Sequence, residues 1–239
     1  VKISDDVATD EAEPEVLFDG LHHGDEHMSL EMTLAILRWL TDGYDAGDPT
    51  IRDLVDTREI WIVFAVNPDG ATHDIGGTGT YRNWRKNRQP TPGSTAIGTD
   101  LNRNYPYRWG CCGGSSGTPS SSRFRGRTAL SAPESRALAD FVRSRVVGGR
   151  QQIRAAISFH TTGRLVMYPY GYTLTNTPRD MTRDDRAVFV ELARRMAATN
   201  GYRPIQASDL YISSGTSRDW LYGAYRTFAF TIELSPDST

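Results

Sequence analysis

In the stretch LHHGDEH (residues 21–27), three histidines and two acids fall within seven residues, where an apolar run gives way to helical spacing. His23 and Glu26 set an imidazole nitrogen and a carboxylate three residues apart, close enough to chelate one ion. A catalytic zinc centre uses three protein ligands and keeps a fourth position for water. His160, at the end of a distant apolar run, is the natural third donor. An isolated HxxE pair is common by chance and is weak evidence alone. On this reading His22, Asp25 and His27 frame the site as turn residues, His22 and His27 being solvated, and His73 belongs to a polar loop.

Two further stretches add the opposite charge. YRNWRKNRQP (81–90) carries Arg82, Arg85 and Arg88 around Trp84, and GTDLNRNYPYRW (98–109) carries Asn102 and Arg103 in a tight polar loop. Each alone has the composition of a solvated surface. Together they form a cationic cluster in a chain whose formal net charge is -2. Such a cluster suits a small anionic group held by bidentate arginine hydrogen bonds.

The chain of 239 residues, 38% hydrophobic, can bury one substantial core, and its length permits one large domain or two small ones. The slightly negative charge argues against nucleic acid as a partner. No apolar run reaches the roughly 18 residues of a membrane span, and no basic-then-apolar leader opens the chain. A soluble, processed protein is expected. Nearly all its cations are arginines, Lys2 and Lys86 excepted. Its two cysteines, Cys111 and Cys112, are adjacent. Neighbouring Cα atoms about 3.8 Å apart fall short of the usual disulfide span of about 4.4–6.8 Å, so a structural pair of free thiols is at least as good a reading as a strained bond.

The elements that must position these groups follow from periodicity. EVLFDG (15–20) reads as a strand and Ser29–Tyr44 as a helix. REIWIVFAV (58–66) reads as a strand covered on both faces, ending at the turn NPDG. Residues 70–127, rich in Gly, Ser, Thr, Asn and Pro, read as one long irregular, functional region. Ser131, Pro133 and Glu134 suit the cap, first turn and capping box of a helix that runs to Gly148–Gly149. A strand over 153–160, a helix over 181–200 stopped by Gly201, and a strand over 227–234 follow. Strands alternating with long helices point to an α/β fold. His23 and Glu26, His160 and Glu233 all follow or end strands, where sites in open α/β sheets gather.

In this order HxxE, NPDG, YRNWRKNR, GTDLNRN, FHTTGRLVMYPYGY (159–172), Tyr211 with SGTSRDW, and FTIEL (230–234) resemble the zinc metallocarboxypeptidases, carboxypeptidase A and T type, bacterial T-like members above all. The resemblance covers almost the whole chain and implies a single catalytic domain over 1–239. It implies a mixed, mostly parallel central sheet flanked by helices on both faces, shortened here at both ends, because family domains begin with further strands and finish with a helix. It implies one Zn²⁺ per chain on His23, Glu26 and His160, the His₂Glu set associated with carboxypeptidase A. It further implies Glu233 as general base and Arg85 as the group that polarises the scissile carbonyl. Asn102, Arg103 and the mobile Tyr211 match the grip on the substrate's terminal carboxylate, Arg82 an adjacent subsite, and Asp100 the orienter of His23. The substrate would be a peptide or protein C-terminus, the enzyme a secreted, extracellular monomer.

Arg218 stands where the family's specificity pocket has its floor. It points to acidic C-terminal residues by charge pairing; folded back onto a nearby acid such as Asp209, it would instead leave a broad or apolar pocket. Thr161 and Thr162 replace the Ser-Tyr of animal members, which implies altered outer subsites. Pro236 follows Ser235 near a family cis bond, so a cis Ser235–Pro236 peptide is expected. Two other functions share part of the pattern. A zinc amidase or deacylase of N-acyl amino acids would keep HxxE, the later histidine and the carboxylate-binding arginines, and a non-catalytic carboxypeptidase-like binding module would keep the fold alone.

Overall fold

Alternation between the two faces of one sheet organises the described residues, 1–77 and 80–235 of a computed structural model. The strands, in chain order, are β1 (Lys2–Ile3), β2 (Glu15–Gly20), β3 (Glu59–Val63), β4 (Val146–Val147), β5 (Arg150–Gln151), β6 (Ile153–Thr161), β7 (Leu165–Tyr168), β8 (Arg203–Gln206) and β9 (Phe228–Leu234). β4 and β5 pair only with each other; the other seven form a sheet in the order β1-β3-β2-β6-β9-β7-β8. β3, β2, β6 and β9 are parallel, while β1 and β7 run antiparallel to β3 and β9. The expected mixed, mostly parallel sheet is therefore present.

The helices are α1 (His27–Asp45), α2 (Pro49–Val55), α3 (Pro68–Ile75), α4 (Pro133–Ser144), α5 (Arg183–Asn200) and α6 (Ser217–Tyr225). Side chains along a strand point alternately to opposite faces. Leu17, Ala156 and Ala229 are register partners on β2, β6 and β9, and they cluster with Leu138 and Ala139 of α4 and Trp220 and Leu221 of α6. One residue on, Phe18, Ile157 and Phe230 turn to the other face and meet Met32 and Ile36 of α1 and Phe189 and Ala193 of α5. Helices thus cover both faces. No helix among the described residues is long and apolar enough to cross a membrane.

The first face changes character toward the carboxyl ends of the parallel strands. After the row Leu17–Ala156–Ala229 comes the polar row Asp19–Ser158–Thr231, and beyond it His160 stands in register with Glu233. The chain leaves β2 toward β3 and β6 toward β9, so the β2–β6 boundary is the topological switch point, where a crevice opens in α/β sheets. The polar residues lie at that edge.

Several local expectations need correction. NPDG is not a simple turn: the Asn67 side chain accepts from Gly70 N at 3.0 Å and caps α3, so the irregular region begins only after residue 75. Ser131 is not a cap, because α4 starts from Ala132 without a side-chain bond. The helix is anchored from outside, with Asn104 Oδ1 accepting from Ala132 N at 3.0 Å and Ser135 Oγ at 2.9 Å. Glu134 accepts from Asn87 rather than closing a capping box. α4 also ends at Ser144, before Gly148–Gly149, whose positive φ values of 56° and 77° instead turn the β4–β5 hairpin. Cys111 and Cys112 are joined by a disulfide rather than held as free thiols. The expected cis Ser235–Pro236 bond lies outside the described residues; among those described, Thr161–Thr162 and Pro169–Tyr170 are cis.

Phe189 is the fully buried hub of the α5 face, its ring 4.9 Å from Tyr222 and 5.3 Å from Phe230. Phe189→Ala is expected to lower stability by about 3–5 kcal/mol in chemical denaturation, the range for a truncated core aromatic. An unchanged midpoint would contradict this assignment of the core.

Candidate active site

The loop after β2 carries the first two donors, and backbone packing holds it. Ser29 Oγ donates to Glu26 O at 2.5 Å and accepts from Leu21 N at 2.8 Å, folding residues 21–29 into one turn. Gly24 N donates to Arg85 O at 3.0 Å. A Cβ on Gly24 would lie 2.5 Å from Gly70 C and 2.6 Å from Trp84 O, both backbone atoms, so only glycine allows this approach. The segment carrying Arg85 is thereby pinned to the loop carrying His23 and Glu26.

His23 Nδ1 lies 2.6 Å from Glu26 Oε1, His160 Nδ1 lies 2.7 Å from Glu26 Oε2, and the two Nδ1 atoms are 3.2 Å apart. All three residues are buried, and their donor atoms fall within 4.8 Å of one another. Two imidazoles and one carboxylate converging on a single point match the donor chemistry of catalytic zinc. Burial alone would raise the Glu26 carboxyl, but its contacts with the His23 and His160 imidazoles hold it below its usual value. Burial lowers His160 to about 4, leaving the neutral imidazole that metal ligation requires.

Asp100 joins this centre to the arginines. Its Oδ1 lies 3.2 Å from His23 Nε2 and accepts from Asn102 N at 3.0 Å, while Oδ2 accepts from Arg85 Nε and Nη2 at 3.1 and 3.0 Å. Burial pushes the Asp100 carboxyl up, but Arg85, Arg103 and His23 together hold it well below the usual carboxylate range. Arg85 Nη1 is 3.7 Å from Glu26 Oε1, and the side chain keeps 24% exposure.

A cavity of about 310 Å³ is lined by the three donors together with Arg85, Asn102, Arg103, Tyr211, Arg218 and Glu233. Arg103 is buried, donating to Gly114 O at 3.2 Å, to Asn102 O at 2.6 Å and to Tyr211 Oη at 3.2 Å. Asn102 Oδ1 accepts from Ser217 N at 3.0 Å, which ties the loop to α6. Glu233 faces the cavity from the end of β9. Burial, with the nearby Glu26 carboxylate adding to it, raises Glu233 to about 7; a dication on the donor set would lower it again.

Arg218, also buried, folds back onto a nearby acid, which is Asp219 and not Asp209: Nε donates to Asp219 Oδ1 at 3.1 Å and Nη1 to Thr231 Oγ1 at 3.2 Å. Nη2 lies 3.1 Å from the same Asp219 oxygen but makes no hydrogen bond there. Arg82 stands apart from this cavity, donating to His73 O at 2.9 Å and lying 3.0 Å from His73 Nδ1. His22, expected to be a solvated turn residue, is fully buried behind the donor set, because its ring finds partners in Asp19, Ser158 and Tyr105. His27 pairs with Asp74 at 2.9 Å. Arg123, to which the spacing gave no clue, places its guanidinium 5.3 Å from the Tyr211 ring centre, on which Arg103 also bears at 5.8 Å.

A buried three-donor set suited to a metal ion thus lies beside a buried arginine, at the switch point of a mixed α/β sheet. The zinc carboxypeptidase family model matches residues 1–239. A zinc carboxypeptidase from Saccharothrix mutabilis subsp. capreolus is 50% identical over 239 residues, covering 100% of this chain and 54% of that protein. Carboxypeptidase A1 of Rattus norvegicus is 32% identical over 224 residues, covering 92% of this chain and 51% of that one. The crystal structure of the carboxypeptidase A from Helicoverpa armigera superposes with a TM-score of 0.82 at 27% identity, over 100% of this chain and 56% of that chain. The chain belongs to the zinc carboxypeptidase family. It spans about half the length of these two relatives.

Proposed function

We propose that the chain forms the catalytic unit of a zinc metallocarboxypeptidase, a secreted monomer that removes the C-terminal residue of peptides and proteins with one zinc ion per chain. The observation that carries this reading is the sharing of one cavity by the His23–Glu26–His160 donor set and the buried Arg103–Tyr211 pair. An extracellular setting accords with the Cys111–Cys112 disulfide, since such bonds persist in oxidising compartments.

Arg103, with Tyr211 and Asn102, receives the terminal carboxylate of the substrate. Left without that partner, a buried arginine costs on the order of 2–5 kcal/mol, so an internal peptide bond binds poorly and cleavage is confined to chain ends. That grip also fixes the scissile carbonyl between Arg85 and the donor set, supplying orientation. Zinc, when bound there, supplies Lewis acidity and brings the pKa of a water to about 7. Glu233 takes the proton of the attacking water and passes it to the leaving amine. Arg85, preorganised by Asp100, donates to the carbonyl oxygen as negative charge develops on it.

The side chain of the departing residue enters toward Arg218 and Thr231. Arg218 Nη2, lacking a hydrogen-bond partner in the buried wall, favours a C-terminal Glu or Asp whose carboxylate would complete it. The pairing of Arg218 with Asp219 tempers that preference by neutralising part of the charge.

Glu233→Gln is expected to lower kcat by roughly 10²–10⁴-fold while zinc content and peptide affinity stay near parental values; undiminished turnover would remove Glu233 from the mechanism. Release rates from matched peptides ending in Glu, Leu and Arg test the pocket. Glu is expected to be released fastest, with the advantage lost in Arg218→Leu, whereas good cleavage of Leu with none of Glu would sink the acidic preference.

A further inference from the structure

Behind His160, on the side away from the cavity, lies a chain of buried polar groups that the reaction above does not use. His160 Nε2 is 3.3 Å from Ser158 Oγ, and Ser158 Oγ is 2.6 Å from Asp19 Oδ1. His22 Nδ1 lies 3.1 Å from the same Asp19 oxygen and 3.3 Å from Ser158 Oγ, and its Nε2 is 2.9 Å from Tyr105 Oη. All five residues are less than 5% exposed. Buried carboxylates and hydroxyls without a ligand to bind are costly, so their arrangement calls for a role.

The proton positions in this chain follow from one group. A carboxylate only accepts hydrogen bonds. Asp19 therefore takes the single hydroxyl hydrogen of Ser158, and Ser158 Oγ can only accept from the imidazoles beside it. A hydrogen on His160 Nε2 would complete that bond, and a neutral imidazole with one nitrogen protonated leaves the other as an acceptor. The free lone pair falls on Nδ1, the atom that faces His23 and Glu26. By the same logic His22 Nδ1, surrounded by Asp19 and Ser158, donates, and Tyr105 Oη donates to His22 Nε2. The bonds run from Tyr105 through His22 to Asp19, and from His160 through Ser158 to Asp19.

Two neighbours push His160 the other way. Asn102 Oδ1 is engaged by Ser217 N, so the Asn102 Nδ2 donor faces His160 Nε2 at 3.3 Å and disfavours a proton there. In the metal-free protein Glu26 Oε2, 2.7 Å from Nδ1, favours a proton on the metal-binding nitrogen. Among the described residues, Ser158 Oγ is the side-chain oxygen within hydrogen-bond distance of His160 Nε2. Metal-bound histidines require such an acceptor on the far nitrogen, and His23 has its own in Asp100, directly.

We propose that Asp19 and Ser158 are positioning residues that act through His160: the Asp19-anchored hydroxyl selects the Nε2-protonated ring, and so the affinity of the centre for zinc. The inference rests on the reading of His160 as a ligand. Its test is zinc affinity, measured by chelator competition on the purified chain, for the parent, Ser158→Ala, Ser158→Thr and Asp19→Asn, with thermal unfolding of each metal-free form as a control for folding. Removing an outer-shell partner of this kind weakens metal binding about 10–100-fold, and that loss is expected for Ser158→Ala and Asp19→Asn, with affinity recovered in Ser158→Thr. In the zinc-loaded parent the His160 Nε2–H resonance is expected to be protected from exchange, and in Ser158→Ala to lose that protection. Parental affinity and an unchanged His160 resonance in Ser158→Ala would overturn the relay while leaving the ligand assignment standing. Failure of the parent to bind one zinc would overturn the ligand assignment, and the relay with it.

Discussion

Asp100 is the constraint on which the site depends. One buried carboxylate accepts from the imidazole of His23, the guanidinium of Arg85 and the backbone of Asn102. It thereby couples the His23–Glu26–His160 donor set to the arginine-lined half of the cavity. Removing any one partner leaves the others with an uncompensated buried charge, which is why such clusters form as a unit or not at all. The low position of the Asp100 carboxyl, reached against burial, expresses the same coupling. Gly24 plays the matching steric part, since its missing side chain lets the β2 loop lie against the Arg85 segment.

Around that centre the sheet supplies direction. Parallel strands deliver their carboxyl ends to one edge, and the alternation that buries Leu17, Ala156 and Ala229 carries Asp19, Ser158, His160 and Glu233 on the same face a few residues later. Burial there makes every group matter electrostatically. It lifts Glu233, lowers His160, leaves Arg103 a buried cation bonded only to two carbonyls and a hydroxyl, and pairs Arg218 with Asp219. Under the proposed function, selectivity for a chain end and preference among end residues would be two uses of one physical fact, an arginine kept out of water.

Much of this was legible from residue types and spacing. Long apolar runs with clear stops marked β2, β3, β6 and β9, and α1 and α5 declared themselves by period and by Gly201, whose φ of 71° closes α5. His23, Glu26, His160 and Glu233 were legible because each follows or ends such a run. What escaped notice had weak local signals or depended on distant partners. β7, β8 and α6 are short, and their pattern is masked by the loops that flank them. The anchor of α4 is Asn104, 28 residues before Ala132 in the chain, so the nearby Ser131 was a false cap. Whether Arg218 meets Asp209 or Asp219 is a matter of α6 geometry, and Asp219 wins as its immediate neighbour on the first turn. His22 looked like a turn residue because a fully buried histidine needs partners, and Asp19, Ser158 and Tyr105 come together only through the sheet.

Under the proposed function, selectivity for chain ends rests on the buried Arg103. The direct measurement compares kcat/KM for one blocked dipeptide with its C-terminal carboxylate free and the same dipeptide amidated. A loss on amidation corresponding to about 2–5 kcal/mol, roughly 30-fold to several thousand-fold, is predicted from leaving Arg103 unpaired. Equal rates on the two substrates would contradict it.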